Sequence, residues 1–217
     1  MTEIKANSET STSKRLSQWL FNPFRFIAGF KALLLGLVII LVSAFVGSLS
    51  TTHFDGVLDV HTGAEAPLWF LLVEGVIDWA CMVVPLCFFG LIASRSSFRI
   101  IDVLGTQALA RWPYLITALV LFPDANRKVL VYLMSQLTQN TPAAKIDYID
   151  MSIFAVAMIV TILMAVWMVA LMYRAYCISC NLKGAKAIIT FIVSVVGAEV
   201  LSKFAILSLA DYAKVLP

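Results

Sequence analysis

The feature that most constrains this chain is an apolar run without a single charge, residues 32–49, ALLLGLVIILVSAFVGSL. About 20 helical residues, rising about 1.5 Å each, cross the hydrocarbon core of a bilayer. Hydrophobic residues make up 61% of the chain and charged residues 13%, whereas a soluble domain has about 45–50% and about 25%. The composition also excludes a disordered chain, a disulfide-rich secreted domain and a nucleic-acid-binding protein. The sequence therefore predicts an integral membrane protein.

Four more apolar runs follow the first one. Together the five predict an all-α fold, a polytopic membrane helix bundle with five transmembrane helices and short surface helices. The predicted spans are residues 32–49, 67–93, 102–122, 151–173 and 187–210. Apolar residues at helical spacing within the segment after the third span predict one helix lying on the membrane surface.

The predicted organisation of the chain has four parts. Residues 1–15 are polar and are expected to form a disordered cytoplasmic tail. Residues 16–30 are dense in aromatic side chains and are expected to lie at the level of the lipid headgroups. Residues 31–210 are the five-span transmembrane domain, and residues 211–217 are a C-terminal tail.

The basic residues outside the predicted spans are distributed unevenly. Ten lie in the N-terminal region and in the segments after the second and fourth spans, and four lie in the remaining segments. Cytoplasmic segments carry the excess of lysine and arginine. The distribution therefore predicts a cytoplasmic N-terminus and a C-terminus on the outside, which agrees with an odd number of spans.

Five ionisable side chains lie inside the predicted spans: Glu74, Asp78, Arg111, Glu199 and Lys203. Each is a candidate functional residue because a charge is costly within a bilayer. Counting helical rise from the span ends places Asp78, Arg111 and Glu199 near the middle of the membrane, and Glu74 near Lys203. Three interpretations are open: a buried ion network that fixes helix packing, a proton or ion relay, and a substrate-recognition site.

The loop between the first two spans carries both histidines of the chain, in an H-x-D-x3-D-x-H arrangement. His53, Asp55, Asp59 and His61 are candidate ligands for zinc or another divalent metal. The alternative interpretation is a plain solvated loop.

Catalytic motifs are missing from the sequence. The patterns G-x-S-x-G, G-x-x-x-x-G-K-[ST] and H-E-x-x-H do not occur, so neither an enzyme nor a cofactor is expected. Cys177 and Cys180 form a C-x-x-C pair, but no second ligand pair lies nearby to complete a zinc site.

Two segments resemble a known family. Residues 96–119, SSFRIIDVLGTQALARWPYLITAL, combine a small polar stretch with Gly105, the small run Ala108–Ala110, and Pro113 at the start of an apolar run. Residues 21–30, FNPFRFIAGF, form an aromatic and proline-containing lead-in. Both resemble the Yip (Ypt-interacting) family of five-span membrane proteins, in its bacterial type.

The resemblance implies a membrane organiser or adaptor in a bacterial cytoplasmic membrane, with no established catalytic residues. Its expected partners are the lipid bilayer and other membrane proteins or further copies of the chain, and not nucleic acid. The alternative function, which rests on the charges within the spans, is a small ion- or proton-coupled transporter or channel.

Overall fold

The structure, a computed structural model, describes residues 18–63, 65–94, 96–138 and 146–214. Within these residues the chain folds as a bundle of α-helices with one two-stranded β-hairpin. The predicted disordered tail, residues 1–15, lies outside the described residues.

The elements follow the predicted order. The helices are α1 (Gly29–Ser48), α2 (Leu68–Ala93), α3 (Ile100–Leu109), α4 (Pro113–Leu121), α5 (Asp124–Thr138), α6 (Tyr148–Ser179) and α7 (Gly184–Ala213). A 3₁₀ turn at Pro23–Arg25 precedes α1, and the strands β1 (Thr52–His53) and β2 (His61–Thr62) lie between α1 and α2. Helix α5 forms where the sequence predicts a surface helix.

Four helices of the described chain, α1, α2, α6 and α7, are long and apolar enough to cross a membrane. They correspond to the first, second, fourth and fifth predicted spans. Helices α6 and α7 extend beyond the predicted bounds at both ends, because the hydropathy pattern marks only the part suited to hydrocarbon. The predicted tail 211–217 consequently begins inside α7, which ends at Ala213.

The third predicted span, residues 102–122, is not one helix, and that part of the prediction was wrong. It consists of α3 and α4, separated at residues 110–112. Pro113 has no N–H to offer the carbonyl of Leu109, and a proline ring clashes with the carbonyl four residues before it. The Leu109 carbonyl instead accepts the N–H of Trp112 at 3.3 Å, and Tyr114 donates to Arg111 at 3.0 Å. These hydrogen bonds span three residues instead of the four of an α-helix, so the α-helix is interrupted at Arg111.

Small residues bring α1 and α3 into backbone contact. A Cβ atom at Gly105 would collide with the carbonyl oxygen of Gly29, and one at Gly36 would collide with the backbone of Ala108. Such close approach is typical of packed membrane helices, where small residues allow extensive van der Waals contact. The α1–α3 pair therefore depends on the absence of side chains at these glycines.

Helix α4 continues along α1 beyond the break. Arg111 and Tyr114 line a cavity of about 10 Å³ together with Ile40 and Ala44 of α1. Gly105 lies beside Gly29 at the start of α1, and Ala108 lies beside Gly36, further along α1. The α3–α4 pair therefore runs in the same direction as α1. We call the end of the bundle that carries the β-hairpin the hairpin end, and the other the far end.

The aromatic lead-in packs at the far end. The rings of Trp19 and Phe26 stack with their centroids 5.0 Å apart, and Arg174 of α6 donates to the carbonyl of Phe21 at 2.7 Å. The Trp19, Phe21 and Phe26 side chains remain about half exposed, as expected of a segment at the membrane surface. The four cysteines are all free thiols.

Replacing Gly36 by alanine tests the α1–α3 contact. We expect Gly36→Ala to lower the free energy of unfolding by about 1–3 kcal/mol, because the added methyl overpacks a backbone contact. Gly197→Ala is the matched control: a Cβ at Gly197 meets no atom within 4 Å, so the better helix propensity of alanine should leave stability unchanged or slightly higher. Unfolding in nanodiscs measures both, and equal effects would contradict the contact.

Candidate functional site

The β-hairpin and its loop, residues 52–62, are inserted into one end of the bundle; we call them the plug hairpin. Strands β1 and β2 are antiparallel, with His53 opposite His61. Phe54 and Val57 are buried at 4% and 0% exposure, and the Tyr114 hydroxyl donates to the Val57 carbonyl at 2.9 Å. The apolar residues of the loop thus insert it into the helix bundle and bury His53, whereas His61 stays exposed. The loop is therefore not a plain solvated one.

His53 connects the plug hairpin to α2. Its Nδ1 lies 3.1 Å from Oε1 of Glu74, and both side chains are nearly fully buried. The sequence placed Glu74 near Lys203, but the structure joins Glu74 to the hairpin histidine. That contact could not be expected from helix depth alone, because the histidine enters from a loop.

Lys203 connects the plug hairpin to α7. Its Nζ lies 3.0 Å from Oδ2 of Asp55 and also donates to Oδ2 of Asp59. One turn earlier on α7, Glu199 accepts the backbone N–H of Leu58 at 2.9 Å. Glu199 and Lys203, four residues apart, therefore lie on one face of α7, and that face contacts the hairpin.

Asp78 and Arg111 form the deepest part of the site, at 0% and 2% exposure. Both carboxylate oxygens of Asp78, and Nε and Nη2 of Arg111, are buried without a hydrogen-bond partner among the described residues. The Arg111 guanidinium lies 6.0 Å from the ring centroid of Tyr114. Native proteins rarely leave such groups unsatisfied, so a ligand, proton or water is the expected complement.

All nine predicted site residues consequently belong to one site, which we call the charged cluster. It comprises His53, Asp55, Asp59, His61, Glu74, Asp78, Arg111, Glu199 and Lys203. Its five carboxyl groups face two permanent cations and two histidines. Full ionisation would leave excess negative charge even with both histidines protonated, so protons or another cation must balance the cluster.

The predicted metal-ligand set is divided between two places. Donor atoms of Asp55, Asp59 and His61 lie within 4.8 Å of one another, whereas Nδ1 of His53 faces Glu74. The Lys203 ammonium already contacts both aspartates. A divalent metal at these three residues would have to displace that ammonium, so the present arrangement favours Lys203 as the cation that the aspartates hold.

Asp55 is the electrostatic centre of the plug hairpin. Burial raises the pKa of its carboxyl, but hydrogen bonds and positive charge from His61 and Lys203 outweigh this and lower the pKa from 3.8 to about 2. The His61 Nδ1 lies 3.2 Å from Asp55 Oδ1. Asp55 therefore stays ionised at all ordinary pH values and holds the hairpin to α7.

Polar side chains continue from the charged cluster towards the far end. Gln107, one turn before Arg111, is fully buried; its Nε2 donates to the Met172 carbonyl at 3.0 Å, and its Oε1 has no partner among the described residues. The hydroxyl groups of Thr106 and Ser179 lie 2.9 Å apart. Both also donate to the carbonyl of Asp102, whose carboxylate pairs with the exposed Arg99. We call Gln107, Thr106, Ser179 and Asp102 the polar row.

Sequence reasoning missed two contributors to the site. Tyr114 holds the hairpin through the Val57 carbonyl and packs against Phe54, with ring centroids 4.9 Å apart and the rings tilted by 37°. A tyrosine three residues after Arg111 in an apolar run was a usable signal, because a buried hydroxyl needs a partner. The backbone N–H of Leu58, which Glu199 binds, left no signal in the sequence.

Comparison with protein families, with curated proteins and with solved structures finds no match for this chain.

Removing the Asp55 carboxylate tests the attachment of the hairpin. A lowered pKa stabilises the fold at pH values above 3.8, and this contribution is lost as the pH falls towards 2. We expect Asp55→Asn to reduce the free energy of unfolding by about 1–3 kcal/mol at neutral pH, with a difference from the unchanged protein that narrows between pH 4 and pH 2.

Thermal unfolding in nanodiscs across this pH range measures the difference. Asp211→Asn is the control, since Asp211 is exposed and forms no ion pair within the described part of the chain. A constant gap between Asp55→Asn and the unchanged protein at every pH would contradict the ionic attachment.

Proposed function

We propose that this chain is a small proton-coupled membrane transporter or channel in which the charged cluster takes up protons at the hairpin end. The observation that carries the proposal is the burial of two opposite charges, Asp78 and Arg111, between the exposed His61 and the polar row. Both carboxylate oxygens of Asp78, and Nε and Nη2 of Arg111, lack a hydrogen-bond partner among the described residues. Ionisable groups at membrane depth are costly and are retained mainly where they bind or move charge.

The proposed route begins at His61, which is 47% exposed at its side chain and contacts Asp55. From there the route passes to His53, whose ring stacks on that of His61 with centroids 5.6 Å apart, and to Glu74, 3.1 Å from His53, before it reaches Asp78. Asp55 stays ionised and orients His61, while the imidazoles pass protons on. The cavity beside Arg111, about 10 Å³, has room for about one water molecule to bridge the break in the third segment. The polar row supplies the continuation to Asp102 at the far end.

A membrane organiser or adaptor of the Yip type is the second candidate, and one observation favours it. Helix α6 is the most lightly packed of the long helices: 11% of its most apolar stretch is buried, against 33% for α1. Its large apolar face is available to lipids, to other membrane proteins or to further copies of the chain. In this function the charged cluster serves only to hold the plug hairpin.

Both functions share a proposed topology of five crossings in a cytoplasmic membrane. The α3–α4 pair covers residues 100–121, roughly 33 Å at about 1.5 Å per residue, which is sufficient for the hydrocarbon core. Its direction along α1 and the excess of basic residues towards the far end support a cytoplasmic far end and an external plug hairpin.

Cysteine labelling tests this topology. In a chain freed of its native cysteines, a membrane-impermeant maleimide should label Gln18→Cys from the cytoplasmic side and Asp211→Cys from the outside, because five crossings put the chain ends on opposite sides. Labelling of both positions from one side would contradict the crossing of the α3–α4 pair.

Proton flux into liposomes tests the proposed activity. With a pH-sensitive dye trapped inside, the purified protein should collapse a pH gradient faster than empty vesicles, and Asp78→Asn should return the rate to that of empty vesicles. Asp211→Asn, which removes an exposed carboxyl outside the cluster, should transport normally. A rate for the unchanged protein equal to that of empty vesicles would overturn the proposal.

The double variant Asp78→Asn, Arg111→Gln separates transport from folding. Removing one member of a buried charge pair typically costs about 3–5 kcal/mol of stability, and removing both costs less. We expect the double variant to regain stability lost in the single ones but to remain without flux. Recovery of both stability and flux would assign the charges a structural role and favour the organiser.

A further inference from the structure

A second polar cavity lies at the hairpin end, apart from the charged cluster. It has a volume of about 360 Å³ and opens between the end of α1, the segment before α2 and the start of α5. Its lining combines apolar residues, among them the buried Leu71 and Leu121, with polar and charged residues. Its size lies in the range of small-molecule sites, about 300–1,000 Å³.

The wall carries charges of both signs. Arg127 supplies a guanidinium, and Glu65 and Asp124 supply two carboxylates. All three side chains are exposed, and none forms an ion pair within the residues that the structure describes. The cavity is therefore complementary to a ligand that joins an anion to a cation.

Thr51 adds an unsatisfied group to this wall. Its hydroxyl oxygen is buried without a hydrogen-bond partner among the described residues, and its backbone has a φ of 53°, in the left-handed region that β-branched residues rarely adopt. Strain and an orphaned polar group in one residue are characteristic of binding sites.

The position of the cavity points to a lipid. It lies at the ends of α1 and α2, where membrane-spanning helices meet the headgroup layer. Leu49 and Phe122 at its border are 60% and 51% exposed, so acyl chains can lie against apolar side chains while the headgroup enters the cavity.

We propose that this cavity binds an amine–phosphate headgroup, with the phosphate on Arg127 and a primary ammonium on Glu65 and Asp124. Arginine pairs with phosphate through charge-assisted hydrogen bonds, and the carboxylates accept N–H donors that a primary ammonium has and a quaternary one lacks. Phosphatidylethanolamine has this chemistry, as does the water-soluble compound glycerophosphoethanolamine.

Native mass spectrometry of the delipidated full chain in detergent, with thermal unfolding in parallel, tests the proposal. Added phosphatidylethanolamine should bind and raise the unfolding temperature, at concentrations at least about tenfold below those needed for phosphatidylcholine or phosphatidylglycerol. Glycerophosphoethanolamine should bind far more weakly; equal binding of this compound would support the headgroup chemistry and assign a soluble ligand instead of a lipid.

Two variants locate the site. Arg127→Gln and Glu65→Gln should each weaken binding of phosphatidylethanolamine by about tenfold, roughly 1.4 kcal/mol. Lys128→Gln is the matched control, because Lys128 follows Arg127 on α5 but pairs with Asp150 and does not line the cavity. Equal binding of all three lipids, or equal loss in Lys128→Gln and Arg127→Gln, would overturn the proposal.

Discussion

The insertion of the plug hairpin into the helix bundle is the interaction on which the rest of the site depends. Val57 and Phe54 are buried between α1 and α4. The ionic contacts of the hairpin with Lys203 and of His53 with Glu74 attach the hairpin to α7 and α2. Without this insertion, the charges of the spans would face an open end of the bundle, and the hairpin aspartates would face water. With it, they form one cluster that is rich in carboxylates, buried at Glu74, Asp78 and Arg111 and open to solvent at His61.

The break at Arg111 gives the cluster its depth. A continuous third helix would form all of its backbone hydrogen bonds internally, and its side chains would point outwards at regular intervals. Pro113 interrupts the hydrogen bonds, and the break places Arg111 against the cavity that Tyr114 shares. The glycines that hold α3 against α1 keep this interrupted segment inside the bundle. Close packing at these glycines thus keeps the irregular segment inside the protein. Exposed to lipid, its free backbone groups would have no hydrogen-bond partners.

The charged cluster and the cavity lined by Glu65, Asp124 and Arg127 share one end of the molecule but have different electrostatics. In the cluster, carboxylates outnumber cations and the deepest groups lack hydrogen-bond partners, which suits the binding of protons. The cavity offers separate exposed charges of both signs, which suits a zwitterion. The hairpin end accordingly carries two sites of different charge, one directed into the bundle and the other between the end of α1 and the start of α5.

The sequence by itself determined the helical class, the positions of four long apolar helices and the identities of the charged residues, because hydropathy and helical periodicity are local properties. It also contained the break, in Pro113, although the apolar pattern around it predicted a single span. Only the tertiary structure decided that His53 pairs with Glu74, that Lys203 holds Asp55 and Asp59, and that Glu199 binds the backbone of Leu58. These contacts join residues far apart in the chain, and their choice depends on how deeply a buried loop enters the bundle, which no periodic pattern encodes.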